Sequence, residues 1–400
     1  MSKKTSIEWT DRTWNPTRGC RRISPGCLHC YAEKTAGRFC GPGLPYEGLV
    51  SISRKGTARR GEPRWTGKAA FVEDKLDEPL RWRTPSHIFV NSMSDLFYEG
   101  FTDAQIDQVF AVMLLAFWHT FQVLTKREDR MEQYLSAPDL YDRLLVQADA
   151  LRAQHPKLPW VGISDPARLQ VPWIWWGVSV EDEEHAARRI PHLLRTVAAG
   201  VRFVSYEPAL GPIADWSRWL GRPWCDRCYP GHGEDPLRHR QGCHCRCHLG
   251  GLDWVIVGGE SGPAARPFDV AWARSTVKQC SEAGVPVFVK QLGSQPRGIC
   301  NSPRHDECPP MWLDADGVLP AVSGRPAVDL CHSVDEFWGP CSPKFSDDKG
   351  GDMTEWPPEL QVRQYPTPPA RASYERAQSD AAQLAFAGQV GASHGSPRRR

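Results

Sequence analysis

The stretch Trp173-Ile174-Trp175-Trp176-Gly177-Val178-Ser179-Val180-Glu181-Asp182 decides the fold class. A short apolar run turns polar and then enters residues 181–197, which have helical period, as a strand followed by a helix does. The same unit recurs on both sides. Upstream lie His87-Ile88-Phe89-Val90-Asn91 and Phe121-Gln122-Val123-Leu124-Thr125. Downstream lie Val201-Arg202-Phe203-Val204-Ser205, Leu252-Asp253-Trp254-Val255-Ile256-Val257 and Val285-Pro286-Val287-Phe288-Val289. Helical segments alternate with these runs at 103–120, 128–151, 181–197 and 270–283. In the first of them Ile106, Val109, Phe110, Met113, Leu114 and Phe117 form a stripe behind a Thr102/Asp103 cap signal. Residues 68–72 and the segment before Cys20 supply two further strand candidates, with 74–82 as a helix. Repeated β-α units predict an α/β fold with a parallel sheet, and six to eight strands predict a partial or closed (β/α) TIM-like barrel. No short internal repeat stands out.

Reactive groups in such folds gather where strands end. The ends here read Asn91-Ser92-Met93-Ser94-Asp95, Thr125-Lys126-Arg127, Ser179-Val180-Glu181-Asp182, Ser205-Tyr206-Glu207-Pro208, Gly258-Gly259-Glu260-Ser261-Gly262 and Lys290-Gln291. They predict a converging ring of Asp95, Lys126, Glu181, Glu207, Glu260 and Lys290, of which Asp95, Lys126, Glu260 and Lys290 are the catalytic candidates. Each alone reads equally well as a helix N-cap or a surface charge. The agreement of six strand ends makes the ring a site.

Composition bounds the rest. The chain has 400 residues, 40% hydrophobic and 24% charged, with 49 Lys/Arg against 47 Asp/Glu and 14 Cys. That range belongs to globular chains and excludes general disorder. No apolar stretch approaches the roughly 18 residues of a membrane span, and the first residues carry no apolar signal region, so a soluble cytoplasmic protein with reduced thiols is expected. Closely spaced cysteines then point to metal rather than to disulfides. Residues 1–68 hold fourteen Lys/Arg against five Asp/Glu, interleaved with Trp9, Trp14, Tyr31, Phe39, Tyr46 and Trp65. Such a segment suits a nucleic acid or nucleotide, through phosphate contacts and base stacking. The competing reading is a solvated basic surface, with Trp9 and Trp14 packing the barrel mouth.

Two cysteine groups follow. Cys20, Cys27 and Cys30 form a C-x6-C-x2-C triad, in which Ser24-Pro25-Gly26 turns the chain so that three thiolates can hold a [4Fe-4S] cluster with one iron left open. Cys40 offers a fourth ligand that would close the site as zinc, and His29 is a lesser candidate. Cys225 and Cys228, followed by Cys243, Cys245 and Cys247, read as a structural zinc knuckle, with His232, His239, His244 and His248 as surplus ligands. The organisation expected is a barrel over 1–295 interrupted by this insertion at 222–251, a Pro/Gly-rich irregular insertion at 296–348, a C-terminal segment at 349–366 and a disordered tail at 367–400.

Trp14-Asn15-Pro16-Thr17-Arg18-Gly19-Cys20, Ser24-Pro25-Gly26-Cys27, Cys30-Tyr31-Ala32, Asn91 to Phe97, Gly177 to Glu181, Glu207 to Pro212 and Val257 to Gly262 together resemble the phage-associated three-Cys-motif family of unknown function. That family resembles radical S-adenosylmethionine (SAM) enzymes, including spore photoproduct lyase. Lys349-Gly350-Gly351-Asp352 and Glu355-Trp356-Pro357 resemble its ending, so the likeness covers about 5–295 and 349–366. It implies a radical-SAM barrel, a [4Fe-4S] cluster on Cys20, Cys27 and Cys30, SAM as cofactor and an electron donor as partner. The cluster would cleave SAM and abstract hydrogen from a substrate, with a nucleic acid or nucleotide as the class. By strand order the resemblance sets Ser92, Ser94 and Asp95 near the methionyl group, Glu181 or Glu207 near the ribose and Gly258 and Gly259 near the adenine. The first cysteine gap is longer than the commonest C-x3-C-x2-C. A non-catalytic, zinc-stabilised binding protein using Cys20, Cys27, Cys30 and Cys40 is the alternative. A metal-dependent hydrolase is a third, for which paired strand-end histidines are missing.

Overall fold

Side chains alternate across a strand, and along this chain the alternation sorts apolar residues onto two faces of one sheet. The computed structural model describes residues 5–53, 61–156, 158, 171–196, 199–220, 251–298, 345–347 and 349–366. Seven strands pair in chain order, every neighbour parallel. They are β1 (Arg12–Trp14), β2 (His87–Val90), β3 (Thr120–Thr125), β4 (Val171–Val180), β5 (Ala199–Tyr206), β6 (Trp254–Gly258) and β7 (Val287–Gln291). Ile88, Val90, Phe121, Val123, Ile174, Trp176, Val178, Val204, Tyr206, Val255 and Val257 belong to the larger buried cluster, together with the helices. The intervening Phe89, Trp175, Val201, Phe203, Trp254, Ile256 and Phe288 form a second cluster with Trp9. This second cluster fills the concave side. Trp254 is its hub, with ring centroids 5.8 Å from Trp175 and from Phe203, and 6.1 Å from Phe288.

Each of the six apolar runs is a strand, and the segment before Cys20 supplies the first. The helices are α1 (Tyr31–Ala36), α2 (Glu78–Arg81), α3 (Asp103–Leu115), α4 (Glu128–Leu135), α5 (Leu140–Gln154), α6 (Glu183–Arg195) and α7 (Val270–Glu282). Thr102 caps α3 through a reciprocal box: Gln105 N–H donates to its hydroxyl, and the Gln105 side chain accepts from Thr102 N–H. The periodic segment 128–151 is two helices rather than one. Pro138 stands in the break, where a proline would remove a helical donor and clash with the preceding turn.

The sheet corrects the barrel expected from strand number. It is an open, curled half-barrel with β1 and β7 as its edges, not a closed TIM barrel, and among the described residues it carries no metal-binding cluster of the radical-SAM kind. Residues 68–72 do not add a strand to it; Ala70–Phe71 pairs antiparallel with Thr17–Arg18 in a separate two-residue ribbon. The outer edge of β7 is occupied by the C-terminal segment. Val289 N–H donates to Val362 O at 2.8 Å, Gln364 N–H donates to Val287 O at 3.0 Å, and Phe288 bridges Arg363 antiparallel. Trp356 and Leu360 are buried there, and the Tyr365 hydroxyl donates to Glu8 O at 3.1 Å. A covered edge has no unpaired backbone left to recruit a closing strand. The Cys/His-rich stretch lies outside the described residues, as do 299–344 and 367–400. Among the described residues no helix is long and apolar enough to cross a membrane.

Candidate functional site at the half-barrel mouth

Following the concave face toward the strand ends, the aromatic floor gives way to polar side chains. Ser179 pairs with Ser205, and two residues further on come Glu181 and Glu207. Two lysines answer them. Lys126 Nζ lies 2.9 Å from Glu181, and Lys290 Nζ lies 3.0 Å from Glu207. The strand ends thus bring Lys126, Glu181, Glu207 and Lys290 together as two ion pairs.

Glu181 is fully buried and holds four contacts. Ser24 donates to it at 2.7 Å, Lys126 pairs with the same oxygen, Arg189 Nη1 donates to the other at 2.8 Å, and His185 lies at 3.7 Å. Burial alone would raise its pKa, but the Lys126 and Arg189 cations outweigh that and hold it at about 2. Burial likewise opposes charge on Lys290, and the Glu207 carboxylate beside it more than compensates, so its pKa is raised. Glu260 is desolvated too, yet the bidentate Arg266 at 2.8 and 3.0 Å, with Arg266 N–H at 2.9 Å, lowers its pKa. Groups so fixed are permanent charges at neutral pH, suited to orienting a ligand rather than to exchanging protons.

Asp95 takes a structural place. It accepts from the Thr125 hydroxyl at 2.7 Å, from Lys126 N–H and Arg127 Nη1 at 3.0 Å and from Phe97 N–H at 3.0 Å, which exhausts its acceptor capacity. Ser92 donates to Asn15 at 3.2 Å, and Ser94 bonds Thr17 at 2.7 and 3.0 Å. Both serines tie the β2 turn to the segment after β1. A Cβ on Gly259 would stand 2.6 Å from Leu292 O, so this glycine serves packing, whereas Gly258 borders Glu207.

The loop from Cys20 to Cys30 folds over the mouth. Arg127 Nη2 donates to Arg21 O at 3.0 Å, Ser24 reaches Glu181, and a Cβ on Gly26 would stand 2.3 Å from the Glu181 carboxylate. Buried Glu33 anchors the following helix by pairing with Arg22 and accepting from Trp65 N–H at 3.0 Å. Tyr31, at the start of α1, sends its hydroxyl to Ser92 O at 2.6 Å. Its side chain is half exposed, 52%, while burial of the hydroxyl pushes its pKa up.

The thiols do not assemble as the C-x6-C-x2-C spacing suggested. Burial pushes Cys20 up to about 12 and raises Cys30. Cys20 donates to Arg21 O at 3.6 Å, Cys27 lies 3.7 Å from the Ser24 hydroxyl, and Cys30 and Cys40 pack against the small cluster of Ala32, Ala36, Tyr46 and Leu49. Among the described residues no three His, Cys, Asp or Glu side chains come together to hold a metal ion. The iron-sulfur centre on Cys20, Cys27 and Cys30, the closed zinc with Cys40 and, with them, the SAM-dependent radical chemistry and the zinc-module alternative are therefore withdrawn. Cys225, Cys228, Cys243, Cys245 and Cys247 lie outside the described residues, so the structural zinc has no described site.

Residues 4–333 match the family described as "Protein of unknown function (DUF5131)". The chain belongs to this family. That assignment replaces the resemblance to the phage-associated three-Cys-motif family, and it brings no radical-SAM activity with it. No curated protein and no solved structure matches the chain.

Arg189, Ser24 and Arg266 escaped the strand-end reading as site residues. Arg189 could have been found as a cation eight residues after Glu181 on the same β-α unit. Ser24 sat in a motif read only for its turn.

Proposed function

We propose that the half-barrel mouth binds a nucleotide or a single-stranded segment of nucleic acid. One observation carries this reading. Of the eight exposed large hydrophobic side chains among the described residues, six fall within residues 23–52: Ile23, Leu28, Tyr31, Phe39, Leu44 and Ile52. They stand among exposed Arg21, Lys34 and Arg38 on the loop and helix that cover the mouth. Two of the six, Tyr31 and Phe39, are aromatic, and exposed rings beside cations are what a flexible, stacked, negatively charged ligand uses, since every base has a face to stack and every phosphate a charge to neutralise. The carboxylates Glu207 and Glu260 add acceptors for sugar hydroxyls or base amines.

Fluorescence anisotropy of a labelled single-stranded 12-mer, titrated with the protein from low to physiological salt, tests the proposal. Binding is expected to weaken steeply with salt, and Tyr31→Ala to weaken it about ten-fold through lost stacking. Absent or salt-insensitive binding contradicts the reading.

A further inference from the structure

We propose that Cys27 and Cys30 form a thiol–disulfide exchange site on the loop over the mouth, closing an internal disulfide by reaction with a small disulfide such as glutathione disulfide. The inference stands apart from the nucleotide reading above and concerns the part of the cysteine motif that the fold does hold together.

Cys27, Leu28, His29 and Cys30 make one turn. Cys27 ends the short 3-10 helix Pro25–Cys27, Leu28 continues it with φ -61° and ψ -42°, and Cys30 N–H donates back to Cys27 O at 3.4 Å. A four-residue turn closed in this way keeps its end Cα atoms within about 7 Å, and side chains three apart on a 3-10 turn stand one above the other. A disulfide asks for Cα atoms about 4.4–6.8 Å apart. The turn thus sets the two thiols on one side at about the span the bond requires. Both residues are partly exposed. Burial raises the pKa of Cys30, and Cys27 raises it further, as a close neighbouring thiol does. The other two thiols of the loop are engaged with backbone carbonyls: Cys20 donates to Arg21 O at 3.6 Å and Cys40 to Gly37 O at 3.4 Å. Cys27 has the Ser24 hydroxyl at 3.7 Å.

The exchange balances in two steps. The Cys27 thiolate attacks one sulfur of the small disulfide, forms a mixed disulfide and expels the first small thiolate. Cys30 then gives up its proton and attacks the Cys27 sulfur, which breaks the mixed disulfide and expels the second small thiolate. The two cysteines lose two electrons and two protons, and the small disulfide takes up both as two thiols. Because burial raises the pKa of Cys30, its step is the slower one, and the mixed disulfide on Cys27 comes first. The bond ties the turn beside Ser24, which reaches Glu181, to the start of α1, where Tyr31 reaches Ser92 O. It therefore joins two of the contacts by which the loop holds the mouth.

Peptide mapping reads the bond directly. Trypsin cleaves after Arg22 and Lys34, so Cys27 and Cys30 share the peptide 23–34, while Cys20 and Cys40 fall in others. The native full chain is equilibrated with glutathione disulfide, quenched in acid, alkylated with a maleimide and digested without reductant. Peptide 23–34 is expected to lose both maleimide labels and two hydrogens of mass, in wild type, Cys20→Ser and Cys40→Ser alike, and to regain both labels when the chain is reduced before alkylation. Cys30→Ser should instead trap a glutathione adduct on Cys27. A doubly labelled peptide 23–34 from the oxidised wild type would overturn the assignment, as would a glutathione adduct that persists there or a bond from Cys27 or Cys30 to Cys20. An internal bond that forms only after unfolding in urea would overturn it too, since the native turn would then not present the pair.

Discussion

Glu181 faces Lys126, Arg189 and His185 at once, and its effect on stability is directional. Its pKa falls from an ordinary 4.5 to about 2 in the folded chain, because Lys126 and Arg189 overcome the cost of burying it. A group with a depressed folded pKa stabilises the protein above its unfolded value and loses that contribution as pH falls through the folded one. The window runs from about 4.5 down to about 2 and amounts to something on the order of 3 kcal/mol. Glu181→Gln should remove this acid-dependent component from urea unfolding measured across pH, and should also destabilise the protein at neutral pH by about 3–5 kcal/mol, since Arg189 would be left buried without its principal counter-ion. Unchanged neutral stability would contradict the network. Glu181 was legible in the sequence because a polar residue closes a strand where the β-α rhythm places a site. Arg189 was not, because a cation on an amphipathic helix looks like any solvated charge until the packing shows it fully buried.

At the scale of elements, Gly177 and the C-terminal segment show what shapes the half-barrel. A Cβ on Gly177 would stand 2.5 Å from the Phe203 ring, which lies across β4 on the concave face. Gly177→Ala should cost about 1–3 kcal/mol in urea unfolding by forcing that ring aside; a neutral substitution would show that the floor is loosely packed. The segment 361–364 covers the β7 edge. Truncation after residue 348 should expose this edge and give self-associated species by light scattering, whereas an unchanged monomer-sized species would contradict the edge-covering role. Six strands and the helices between them were readable from periodicity alone. Barrel closure was not, because the competitor for the β7 edge arrives some seventy residues later in the chain, beyond anything local pattern encodes. The split between α4 and α5 was readable in principle from Pro138.

Across the whole molecule, acid should act at two buried groups in succession. Burial holds His119 at about 4 against an ordinary 6.5, and Nε2 donates to Pro79 O at 3.2 Å and Trp82 O at 3.1 Å. Below pH 6.5 the unfolded chain takes up a proton that the folded one refuses, so stability falls between about 6.5 and 4 before Glu181 extends the loss downward. A melting temperature that stays flat from pH 7 to 4 would contradict this. The metal reading failed for a reason of the same kind as barrel closure. Spacing such as C-x2-C limits where thiols can go, but packing decides where they do go, and among the described residues it brings no three metal-ligating side chains together. What survives is a mouth of paired charges beneath a basic, ring-bearing loop. Photocrosslinking of a single-stranded 12-mer to the full chain, with crosslinked peptides mapped by mass spectrometry, tests that most directly. The account predicts crosslinks concentrated in residues 21–44 and 91–95; crosslinks confined to the helix-covered face, or none at all, would contradict it.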